Sequence, residues 1–175
     1  MNRTVLRMCP NPESGRMEGV KILVDSAFGY AVAGLASGLY YRELTKAQDF
    51  DGPTQLSTVH THFLVLGGVL FLLIVAVFER LFVLSASPLH RWFTVTFHAG
   101  LILTVSMQLV HGTMQVFGKE GSAAISGGIA GIGHVLLTVA FVVFFLALRS
   151  AVVRAPEHRD FREIASTSTN VEEVA

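Results

Sequence analysis

Charge is scarce in this chain. Only 15% of its 175 residues are Asp, Glu, Lys or Arg, whereas a soluble domain carries about a quarter, because its surface must meet water. That shortage excludes a soluble enzyme built around a large cleft. Neither sign dominates: 13 basic residues balance 13 acidic ones, so no electrostatic footprint for nucleic acid exists. Cysteine is almost absent. Cys9 stands alone, which rules out an internal disulfide, a Cys-x-x-Cys zinc site and a covalent haem attachment motif.

What fills the chain instead is apolar. Hydrophobic residues make up 51%, mean hydropathy is +0.55, and many of the 16 glycines sit inside the apolar runs, a habit of membrane helices. Crossing about 30 Å of hydrocarbon takes about 20 residues of helix. Four runs are long enough: 22–44, 58–84, 91–117 and 123–150. Turn-forming separators divide them, Asp49 to Pro53, Ser85 to Pro88 and Gly118 to Gly121. Connections this short force neighbouring helices to run antiparallel. The runs do not alternate as barrel strands would. The expected fold is therefore all-α, a polytopic antiparallel four-helix transmembrane bundle over 21–152, with tails at 1–20 and 153–175.

Basic residues set an expected orientation. Arg3, Arg7, Arg16, Lys21, Arg80, Arg91, Arg149, Arg154, Arg159 and Arg162 fall on one side, and Arg42, Lys46 and Lys119 on the other. Both termini are thus expected in the cytoplasm of a bacterial inner-membrane protein. Pro10, Asn11, Pro12 and Glu13 interrupt any secretory core, and Met17 offers a second possible start. The Ser-, Thr- and Glu-rich segment Ala165 to Ala175 reads as disordered.

Histidines carry whatever chemistry the sequence holds. Five of seven fall inside the spans: His60, His62, His98, His111 and His134. Ionisable groups in lipid are costly and face the bundle interior, so each is a functional candidate. At about 1.5 Å of rise per residue, His60, His62, His111 and His134 lie in the same outer half, contributed by three helices, while His98 lies apart. Residues two apart point to nearly opposite sides of a helix, so His60 and His62 cannot face one central ligand. His60 shares its face with Leu64, Gly67, Gly68 and Phe71, where the glycines leave space for a flat group. Thr104, Gln108, His111 and Gln115 make a polar stripe on the third span. Gly127, Gly131, His134 and Thr138 form a row on the fourth, which serves either close helix contact or clearance for a planar cofactor.

Haem b suits imidazoles from different helices in an apolar bundle, since its iron accepts two axial imidazoles. Phe63, Phe71, Met107, Met114, Phe117 and Phe141 are candidate walls. Zinc or copper competes, and a closed zinc site would want four ligands, which the spans do not offer. Histidines that only pack or move protons are the third option. The favoured axial ligands are His60 and His134, with His111 as substitute. Gln108 and Gln115 would orient an imidazole or meet a propionate, and Arg42 with Lys46 would pair with propionates or anchor the interface.

Gly38 to Lys46, Gln55 to Gly67 and Gly133 to Thr138 resemble a bacterial four-span family, domain of unknown function 2871, over about Val20 to Arg149. That resemblance implies no activity. A shorter one is more specific in chemistry: Val59-His60-Thr61-His62-Phe63-Leu64 is similar to the second helix of nitric oxide reductase and the cbb3-type haem–copper oxidases. It implies His60 as a ligand of low-spin haem b, His62 in place of an asparagine, and His134 or His111 as the second ligand. Those enzymes use about twelve spans and a binuclear centre, so reduction of oxygen or nitric oxide is not carried over. Two functions are expected on these grounds. One is a b-haem protein in electron transfer, haem handling or gas sensing, with a respiratory redox partner. The other is a non-enzymatic accessory or assembly subunit, self-associating through Gly34, Ser37, Gly38, Gly127 and Gly131.

Overall fold

A computed structural model describes residues 12–69, 71–82, 84, 87–119 and 123–173. Cys9 and the tail before Pro12 lie outside these, as do the side chains of 12–16, Phe71, 123–127 (Gly127 of the small-residue row among them), Ala130 and everything beyond Arg154. The elements are α1 (Pro12–Ala47), α2 (Leu56–Thr61), a π-helical segment (His62–Gly68), α3 (Phe71–Phe82), α4 (Pro88–Val116) and α5 (Ala123–Glu173). Among the described residues no strand occurs, and four helical stretches are long and apolar enough to cross a membrane: Met17–Ala47, Leu56–Phe82, Pro88–Val116 and Gly131–Arg154.

The spans run up and down. Both described ends of the chain and the α3–α4 connection share one end of the bundle, called here the terminal end. The α1–α2 and α4–α5 connections share the distal end. There α1 and α4 stop in the same way. The N–H of Phe50 donates to the Thr45 carbonyl at 2.9 Å and that of Lys119 to the Met114 carbonyl at 2.9 Å. Each closes over a residue of positive φ, Asp49 at 49° and Gly118 at 64°, the left-handed cap of a Schellman motif. At the other end of α4, Ser87 caps the helix by accepting from the Leu89 N–H, and Pro88 takes the first turn where its missing donor costs nothing.

Helix packing follows spacings of three and four. The face α1 turns to the second span carries Leu23, Ala27, Gly34 and Ser37, all buried. The face α5 turns to α4 carries Gly133, Leu137, Ala140, Phe144, Ala147 and Ala151. Alternation of four and three residues is the signature of helices crossing at a shallow angle. The α4 and α5 backbones come close at Gly100, where a Cβ would stand 2.9 Å from the Leu137 nitrogen and 3.0 Å from the Gly133 oxygen. The outward faces stay apolar, as lipid requires: Phe28 is 71% exposed and Leu35 67%.

The two halves differ in chemistry. The terminal half is a closed aromatic core, with Phe93 ring centroids 5.6 Å from Phe97 and 5.3 Å from Phe144. Glu79 is fully buried there and within electrostatic reach of His90. The distal half holds the polar side chains.

Three differences from the sequence reading stand out. The second span is not one α-helix, because its middle widens into a π-helix that ends at the Gly67-Gly68 pair. The first helix starts at Pro12, ten residues before the apolar run, since proline is well placed in a first turn. At the other end, α5 continues to Glu173, through the segment assigned on composition to a loose tail; Ala, Glu and Arg between 155 and 165 are good helix formers.

Candidate functional site

His62 is the first residue of the π-helical segment. Its Nδ1 lies 2.9 Å from the Thr58 carbonyl oxygen. A carbonyl only accepts, so Nδ1 carries the proton and donates. Nε2 is then an acceptor and lies 3.3 Å from Gln108 Nε2, which donates to it. With Gln108 Nε2 donating, the amide Oε1 points the other way. That oxygen is buried and has no hydrogen-bond partner. From α5, the His134 ring meets the His62 ring edge-on, with centroids 6.4 Å apart and planes at 84°. Thr138 donates its hydroxyl to the His134 carbonyl at 2.9 Å.

The sequence-level candidates therefore divide. His62, Gln108 and His134 come together from three spans. His60 turns elsewhere, toward α1, where a Cβ at Gly38 would be 3.5 Å from the His60 Cβ; its Nδ1 is buried and without a partner. His111 is half-buried on α4, three residues beyond Gln108. Opposite facing of His60 and His62, expected from helical geometry, places them against different neighbours.

Other expected members are occupied in different ways. At Gly67, a Cβ would meet Leu101 Cδ2 at 2.6 Å and Tyr30 Cγ at 2.8 Å. The gap there is filled by side chains, so it gives no clearance for a flat group. Gln115 accepts from the Gln55 N–H at 2.8 Å, and Thr54 donates to the Gly112 carbonyl at 2.8 Å. Together they clamp the start of the second span onto α4, where Gly112 and the Leu56 backbone are in direct contact. Arg42 lies 3.9 Å from Glu43 with both side chains largely exposed. On α5 the glycine packed against a neighbour is Gly133, against Thr104, whereas a Cβ at Gly131 would meet nothing.

One polar pair escaped the sequence reading. Tyr30 donates its phenol to His98 Nδ1, or accepts from it, at 2.7 Å, and the two rings stack with centroids 5.6 Å apart. A tyrosine near the middle of the first span was the available signal. It gives the otherwise isolated His98 a partner. Among the described residues, no three His, Cys, Asp or Glu side chains gather as a metal-ion site; the donor set of the distal half is a pair of imidazoles with amide and hydroxyl neighbours.

Four apolar spans in an up-and-down bundle define a multi-pass helical membrane protein. Within that class, the chain belongs to the family described as protein of unknown function DUF2871, whose profile matches residues 20–151. No curated protein and no solved structure matches the chain. The likeness to the haem-ligand helix of the oxidases thus rests on Val59 to Leu64 alone.

Proposed function

We propose that this protein is a b-haem carrier of the membrane, with imidazoles from the second and fourth spans as axial ligands and both termini in the cytoplasm. The observation that supports it is the approach of His62 to His134. Neutral imidazole is a ligand that haem iron accepts, and these two rings come from different spans with centroids 6.4 Å apart. The geometry favours His62 over His60 as the partner of His134. Gly131, His134 and Thr138 on the outer flank of α5 are exposed. Buried and unpartnered beside His62, Gln108 Oε1 fits a site that has more to bind, since such groups are normally satisfied. When bound, haem supplies a one-electron couple, or gas binding if one ligand is lost.

A second reading has its own observation. Both ring nitrogens of His62 are already hydrogen-bonded inside the bundle, as in a packing histidine of an accessory or assembly subunit. Absorption spectra of detergent-purified protein, oxidised and dithionite-reduced, separate the two. A sharp Soret band with split reduced bands, turned carbon-monoxide-sensitive or lost in His62→Ala and His134→Ala but kept in His60→Ala, is the expected result. A colourless preparation that takes up no added hemin would overturn the haem reading and favour the accessory subunit.

A further inference from the structure

Where α5 leaves the bilayer at the terminal end, its outward face changes character. Val135, Val139, Val142 and Leu146 form an exposed apolar stripe at spacings of four, three and four. The stripe runs straight into Arg149, Ser150, Val153 and Arg154 on the same face. There a shallow cavity of about 330 Å³ is lined by Leu146, Arg149, Ser150, Val153 and Arg154. Arg154 is not a loose side chain. Its Nε donates to the Ser150 carbonyl at 3.1 Å and its Nη2 to the Ser150 hydroxyl at 3.3 Å. The guanidinium is thereby folded back along the helix, over the cavity that Arg149 borders from the preceding turn.

We infer that this cavity binds the phosphate headgroup of an anionic phospholipid, with one acyl chain lying along the Val135–Leu146 stripe. Charge and length both point to that occupant. Two guanidiniums present planar N–H forks, the geometry that matches phosphate oxygens. From Val135 to Arg149 the helix rises about 21 Å at 1.5 Å per residue, enough for an extended acyl chain below a headgroup at the arginines. A soluble phosphate would use the arginines and ignore the stripe; a lipid uses both. The opposite face of α5 is already taken by α4, through Leu137, Ala140, Phe144, Ala147 and Ala151. The arginines stand about 22 Å along α5 from His134 at 1.5 Å per residue, so loss of headgroup binding there would leave the haem reading untouched, and the reverse.

Native mass spectrometry of the full chain in detergent tests this, with phosphatidylglycerol set against phosphatidylcholine of the same acyl chains. The wild type is expected to prefer phosphatidylglycerol by about 30-fold, roughly fivefold for each arginine near the surface. Arg149→Gln with Arg154→Gln brings the preference near parity, and lysine at both positions restores part of it. Arg80→Gln with Arg91→Gln, which removes two exposed charges elsewhere at the same end, leaves it intact. All four arginines are exposed, and an unchanged melting curve verifies folding of each variant. The inference is overturned if the 149/154 variant keeps the preference or if the 80/91 variant loses it equally. Displacement of the lipid by glycerol phosphate would also overturn it, because the site would then hold phosphate without the chain.

Discussion

Two side chains test the buried polar groups of the bundle at the scale of single residues. The Thr104 hydroxyl is fully buried and unpartnered, so Thr104→Val removes an unsatisfied group. The expected outcome is a gain of about 1 kcal/mol in detergent melting experiments, and a loss instead would mean that the hydroxyl is bound to something. Tyr30→Phe has the opposite sign. It deletes the 2.7 Å bond to His98 and should cost about 1 kcal/mol, with no change in any haem spectrum. That residues of this kind matter was legible from the sequence, because polar groups in an apolar span stand out. Which histidine meets which was not. His60 and His62 differ by two positions, and only the start of the π-helix at His62 and the position of Gln108 across from it decide which one faces α5.

Spans as elements were plain from their length and hydropathy, and their order followed from short connections. Their interfaces were less so. Small residues lie on several faces of α5, and spacing alone does not separate Gly133 from Gly131 as the packed one. The structure ties the choice to Gly100, which stands opposite Gly133 and lets the α4 and α5 backbones touch. Gly100→Val is therefore expected to force these helices apart and to lower stability by about 1–3 kcal/mol, read as a fall in melting temperature. Gly131→Val, where a Cβ meets nothing, should leave the melting temperature nearly unchanged.

For the molecule as a whole, an asymmetry of charge predicts its direction in the membrane. Ten basic residues at the terminal end against three at the distal end should hold the termini in the cytoplasm. A reporter that is active only in the cytoplasm should work when fused after Ala175 and fail when inserted after Lys119; the reverse pattern would invert the orientation. The same division orders the interior. An aromatic plug closes the terminal half, and the polar groups open toward the distal half, so a cofactor in the imidazole site would exchange electrons or ligands with the face opposite the termini.

The π-helical segment has a bearing on how this family's second span is compared from one chain to another. A π-helix advances about 4.4 residues per turn rather than 3.6, since its hydrogen bonds reach back five residues instead of four. Over seven residues, His62–Gly68, this lag accumulates, and α2 and α3 fall out of phase. A single helical wheel drawn through residues 56–82 would therefore put Val59, which is buried, and Val75, also buried, on misleading sectors. Each half needs a wheel of its own. In a relative lacking one residue between 62 and 68, the segment would close to ordinary α-helix while both flanks kept their faces, because a lag of about 18° per residue over the segment comes close to the 100° that one residue contributes.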